Sequence, residues 1–187
     1  MKKKAIGFIM AFVLVFGATA PLAVSAATTP AQSPVTAQPS AHSVQIDGEN
    51  VAFTAFNIGG NNFFRLRDIA YALNGTPSQF NVQWLADFNA ILIQPGYPYE
   101  PIGGEMSVNA ATLLTVAPPA PVTFYIFPHR ELDDLVWREG GYVGLAAPAA
   151  VNINGSNFFM LRELGEIIGF SVDWDEATST ILISTNP

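Results

Sequence analysis

Residues 57–75 read NIGGNNFFRLRDIAYALNG, and residues 152–169 read NINGSNFFMLRELGEIIG. Between residues 57–67 and 152–162, eight of eleven positions are identical: Asn, Ile, Gly, Asn, Phe, Phe, Leu and Arg. Self-similarity at a fixed offset marks one structural unit made twice. In the first copy, Leu66, Ile69, Ala70 and Leu73 fall at i, i+3, i+4 and i+7, one apolar helix face. Asp68 stands in the first turn of that helix, where the dipole favours an acid, and Asn74-Gly75 closes it. The second copy repeats the face with Leu161, Leu164 and Ile168, and Glu163 takes the place of Asp68.

Working outward, Val44 and Ile46 alternate ahead of a hairpin-type Asp47-Gly48, and residues 51–56 predict a second strand. Residues 57–61 predict a loop tolerant of positive φ, and Phe63-Phe64 a short strand into the helix. After the helix, Phe80, Val82 and Trp84 alternate, residues 85–89 turn, and residues 90–93 form a last strand. The unit reads β-β-(short β)-α-β-β, with one helix burying one face of an antiparallel sheet. Phe170, Val172 and Trp174 match Phe80, Val82 and Trp84, and residues 181–183 match 91–93. Residues 122–127 predict the second unit's first strand and 147–153 its next. Residues 129–144 have no counterpart and read as an insertion. Residues 94–106 are a Pro/Gly connector, and with residues 184–187 following the last strand no further domain is expected.

The start of the chain has another character. Lys2, Lys3 and Lys4 precede an apolar run, and small residues end in Val24-Ser25-Ala26, the pattern of a secretory signal peptide over residues 1–26 cleaved after Ala26. The competing reading is an uncleaved anchor, since the apolar run is just long enough to span. Residues 27–42 are uncharged, carry Pro30, Pro34 and Pro39, and predict a flexible Pro/Thr/Ala spacer. Repeat units are then expected over 43–106, connector included, and 107–187. With the three lysines removed, five arginines face fifteen acids, a formal charge of −10. Such a surface repels nucleic acid and anionic lipid. There is no cysteine, so an exported chain must be held by its core.

The stretches Phe63-Phe64-Arg65-Leu66-Arg67-Asp68-Ile69-Ala70, Phe80-x-Val82-x-Trp84 and Ala90-Ile91-Leu92-Ile93 resemble the copper amine oxidase N-terminal-like, or stalk, domain of exported proteins of Gram-positive bacteria. The second copy matches through residues 158–164, Val172-Asp173-Trp174-Asp175 and residues 180–183, and the connector's Tyr97-Pro98-Tyr99 and Gly103-Gly104-Glu105 look like the link between two copies. The signature positions are Phe63, Leu66, Arg67, Asp68, Trp84, Phe158, Leu161, Arg162, Glu163 and Trp174. The resemblance implies an α+β fold of two units, each an antiparallel sheet curled around one helix. It implies a non-catalytic module without cofactor. The oxidase chemistry belongs to a separate domain with three copper-binding histidines and a quinone tyrosine, and this chain has only His42 and His129.

Asp133-Asp134 with Glu131 and Glu139 would offer carboxylates for glycoside hydrolysis, but adjacent loop acids suit a solvated face better. Asp173-Trp174-Asp175-Glu176 would offer calcium ligands but lacks an EF-hand's glycine-punctuated loop, and reads as a β-turn. Arg67 and Arg162 would bind an anion at a helix start, or be held by a neighbouring acid or carbonyl. Phe63, Phe64, Phe158, Phe159, Trp84 and Trp174 read as core rather than sugar platforms. Tyr97 and Tyr99 are the candidates for exposed glycan stacking. Asn74-Gly75-Thr76 and Asn154-Gly155-Ser156 match the glycosylation pattern but read as a cap and a turn. The expectation is an exported, non-enzymatic stalk or interaction module at the bacterial cell envelope. The alternative is a peptidoglycan- or glycan-binding module; a small glycan hydrolase comes third. Partners would be wall glycan, another envelope protein, or a second copy through open sheet edges.

Overall fold

The computed structural model describes residues 33–107, 112–126 and 144–186. The expected signal peptide lies outside these residues, as do His129 and the acids at 131, 133, 134 and 139. The chain is α+β: mostly antiparallel strands with two α-helices among the described residues.

Local chemistry sets three tight hairpins. Asp47-Gly48, Gly59-Gly60 and Asn154-Gly155 all have positive φ at both positions, the mirror-image turn that matches strand twist. They join β2 (Ser43–Ile46) to β3 (Glu49–Asn50), β4 (Ala55–Ile58) to β5 (Asn61–Arg65), and β12 (Ala149–Ile153) to β13 (Ser156–Met160). The loop expected at 57–61 therefore shrinks to two residues. β5 runs straight into α1 (Leu66–Ala72), and β13 into α2 (Leu161–Ile168). Leu66, Ile69, Ala70 and Leu73 are buried on α1, and Leu161, Leu164, Gly165 and Ile168 on α2. A Cβ on Gly165 would lie 2.6 Å from the Phe170 carbonyl oxygen, so α2 packs there by backbone.

β5 pairs antiparallel with β13, and Phe64 lies opposite Phe159. These two residues hold the same position in the repeat, and the flanking pairs, Phe63 with Met160 and Arg65 with Phe158, are interchanged by the same relation. A local two-fold axis therefore passes through the Phe64–Phe159 pair, as at an isologous dimer interface.

Around this axis runs a seven-stranded sheet in the order β8 (Leu114–Val116), β1 (Val35–Pro39), β4, β5, β13, β12, β9 (Ala120–Pro121). It curls so that β8 comes back against β12. Alternation splits its side chains. Phe56, Ile58, Phe63, Val151, Ile153 and Phe158 gather with Ala37 in one cluster, and Phe64, Phe159, Ala55 and Ala150 join the main core with both helices.

The flanking sheets are exchanged between the copies. β6 (Phe80–Leu85) and β7 (Ala90–Pro95) of the first copy continue into β10 (Phe124–Ile126) and β11 (Gly144–Ala146) of the second. β14 (Ser171–Asp175) and β15 (Thr180–Ser184) of the second continue into β2 and β3 of the first. The joins β7–β10 and β15–β2 are parallel, with Ile91 opposite Phe124 and the repeat-equivalent Ile181 opposite Val44. Asp47 secures one join by accepting the Thr185 hydroxyl at 2.6 Å and amide at 2.9 Å.

Two expectations are thereby corrected. The copies do not each close a sheet around a helix; they share one core, because each copy's leading strand completes the other's sheet. Residues 33–42 are not a free spacer: β1 is an inner strand of the seven-stranded sheet, and Ala37 is fully buried. No described helix is long and apolar enough to cross a membrane.

Candidate functional site

Phe80 and Val82 are buried, but Trp84, on the same face of the same strand, is 51% exposed. In the second copy Phe170 is buried, Val172 is half-buried and Trp174 is 44% exposed. The core reading of both tryptophans is thus overturned. A helix of seven residues is about 10 Å long, whereas a strand of six spans about 20 Å. The sheet outruns its cover, and the last inward position of each strand is left at a rim.

Each tryptophan lines a groove. The first groove takes Arg65, Leu66 and Arg67 from the β5–α1 junction, Val82, Gln83, Trp84 and Ile91 from β6 and β7, and Gly155, Ser156 and Asn157 from the other copy's hairpin. Every one of these has its repeat counterpart in the second groove: Met160, Leu161, Arg162, Val172, Asp173, Trp174, Ile181, Gly60, Asn61 and Asn62. Both grooves thus need both copies, since the hairpin turn of one forms a wall of the other's site.

The grooves differ in what occupies them. The first encloses about 160 Å³ and the second about 460 Å³, and only the second reaches the range of small-molecule sites. In the second, His42 stands edge-on to Trp174, with ring centroids 4.7 Å apart. Near the first, Arg67 donates from Nη1 to the Tyr99 hydroxyl at 3.2 Å, and that hydroxyl donates to Glu105 Oε1 at 2.8 Å. Glu105 also accepts the Ile102 amide at 2.9 Å and the Gly103 amide at 2.9 Å. Burial alone would raise the Glu105 carboxyl, but the Ile102 amide, the Tyr99 hydroxyl and its own and the Gly103 amides pull it down to about 2. Burial raises the Tyr99 phenol, against the opposing pull of Arg67.

Tyr99, expected as an exposed platform, is 2% exposed. The Asn74 side chain holds its backbone at both groups: Asn74 Oδ1 accepts the Tyr99 amide at 3.0 Å, and Asn74 Nδ2 donates to its carbonyl at 3.3 Å. Tyr97 is half-buried. Arg162 is exposed and has no hydrogen-bond or ion-pair partner among the described residues.

The remaining signature residues are structural. Phe63, Leu66, Phe158 and Leu161 are buried. Asp68 is fully buried; its Oδ1 accepts Arg65 Nε at 2.9 Å, Arg65 Nη2 at 2.6 Å and the Met106 amide at 3.0 Å, which fastens the connector to α1. Glu163 accepts the Ala149 amide at 3.2 Å. Asp173 and Trp174 lie in a strand rather than a turn; Asp175 caps the turn that follows, taking the Thr178 hydroxyl at 2.7 Å and the Ala177 amide at 2.9 Å. Among the described residues, no cluster of three His, Cys, Asp or Glu is placed to hold a metal. The paired grooves were half-visible in the sequence: Arg67/Arg162 and Trp84/Trp174 recur together, but nothing local shows that the tryptophans lack cover.

No family model, no curated protein and no solved structure matches this chain.

Proposed function

We propose that the chain is an exported, non-catalytic module of the stalk-domain type, two intertwined β-β-α-β-β copies, that binds cell-wall glycan through its paired grooves. The observation that carries this reading is the exposed tryptophan in each groove, framed by the same residue positions in both copies. An exposed indole offers its flat face to a pyranose ring, and the neighbouring arginine and asparagine side chains offer donors to hydroxyls. The acidic charge disfavours nucleic acid and anionic lipid. The signal-like pattern of residues 1–26 supports an address at the envelope.

The test is co-sedimentation with purified wall sacculi at two salt concentrations, with soluble wall sugar as competitor. Saturable binding that sugar displaces is expected, and Trp84→Ala and Trp174→Ala should each weaken it about tenfold or more, in line with the ~1–3 kcal/mol of an aromatic stacking contact. Tyr97→Phe should leave it unchanged, because Tyr97 lines neither groove. Absence of saturable binding to any glycan would overturn the proposal. The spacer reading would then stand, with β6 and β14, terminal strands of their sheets, as the edges where a partner or second copy adds.

A further inference from the structure

Resting on the glycan reading, we infer that the Trp174 groove selects a carboxylate-bearing sugar and that Arg162 is the residue that recognises the carboxylate.

Arg65 is spent on Asp68 and on the Gly104 carbonyl at 2.8 Å. Arg67 is held by Tyr99. Arg162, at the same repeat position as Arg67, has no partner among the described residues and lines the same groove as Trp174. A guanidinium presents a planar fork that matches a carboxylate with two parallel N–H···O bonds, and an unpaired one beside an exposed indole supplies both halves of acidic-sugar recognition. Asn62 adds a donor: its Oδ1 accepts the Ser40 hydroxyl at 3.1 Å, and its amide NH₂ has no partner among the described residues.

Two charges oppose an anion, and neither decides the outcome. Asp173 borders the groove, but alternation along β14 puts its side chain on the opposite face from Trp174 and Val172. The chain's net negative charge acts at long range and is screened beyond about 8 Å at physiological ionic strength. The guanidinium–carboxylate contact acts at about 2.8 Å. The first groove lacks the free cation, because the Tyr99–Glu105 network occupies Arg67, and it has less than half the volume.

The experiment is calorimetric titration of the whole chain with three disaccharides. One is N-acetylglucosaminyl-N-acetylmuramic acid, with a lactyl carboxylate; one is digalacturonate, with carboxylates on C6; one is neutral diacetylchitobiose. At least one acidic sugar should bind about tenfold or more tighter than chitobiose. Which one identifies the source as muramic acid, uronate or any carboxylate. Arg162→Gln should erase that preference, so that the three sugars bind with similar affinity, Arg162→Lys should restore part of it, and Arg67→Gln should leave the preference intact. Equal affinity for all three sugars, or a preference that survives Arg162→Gln, overturns the inference while leaving glycan binding standing. Failure of all three to bind overturns both.

Discussion

Phe64 and Phe159 face each other in the central sheet, fully buried, while Trp84 and Trp174 stand about half-exposed at strand ends. Removing a side chain costs what its burial gained plus the cavity left behind. Phe64→Ala and Phe159→Ala should therefore each destabilise the fold by about 3–5 kcal/mol, and Trp84→Ala and Trp174→Ala by roughly 1 kcal/mol or less, in the range of surface positions. Urea titration followed by circular dichroism checks the contrast; a tryptophan as costly as a phenylalanine would return it to the core. The difference was only partly legible. Period-2 alternation assigns Phe80, Val82 and Trp84 to one face, and they do share it. How far the opposing helix extends over that face is a tertiary fact that no side chain in the strand encodes. Tyr99 errs in the opposite sense: among prolines and glycines it reads as exposed, but Asn74, 25 residues earlier, closes on its backbone.

At the level of elements, the helices and turns were the most legible parts, because they obey local rules. Apolar spacing fixes the buried faces of α1 and α2, and Asp47-Gly48 and Asn154-Gly155 mark turns, whereas the Gly59-Gly60 hairpin reads as a longer loop. β1 and β8 were not legible: β1 is short and has Val35 as its one large apolar residue besides Pro39, β8 is only three residues long, and they become strands because β1 sits between β4 and β8. The connector behaves as an element too, since Glu105 gathers the amides of Ile102 and Gly103 and the Tyr99 hydroxyl. A carboxyl held at about 2 against an ordinary 4.5 contributes stability above its unfolded value that is lost as pH falls toward 2. Asp47, held low chiefly by the Thr185 hydroxyl, and Asp175, held low chiefly by the Thr178 hydroxyl, act in the same direction. Melting temperature should therefore drop between about pH 4.5 and 2, and Glu105→Gln should flatten part of that drop. An identical pH profile for the variant would show that the carboxylate network contributes nothing.

For the whole molecule, the exchange of strands makes the two copies interdependent. A fragment of residues 107–187 lacks β2 for its C-terminal sheet and β5 for its central one, so β15 keeps only β14, β13 keeps only β12, and one edge of each is left open. It should yield no cooperatively melting monomer; light scattering and thermal circular dichroism would find an unfolded or self-associated chain. A stable monomeric fragment would refute the shared core. The duplication was legible, but the exchange was not, because a pattern that specifies a strand is silent about which neighbour it chooses. The local dyad at Phe64–Phe159 has one more consequence. A polysaccharide strand has a reducing end and a non-reducing end, and a two-fold rotation reverses that sense for a strand lying across its axis. Were the grooves to bind glycan as proposed, strands lying across the axis would enter them in opposite directions, and a molecule with both filled would not slide along one chain but staple two antiparallel ones.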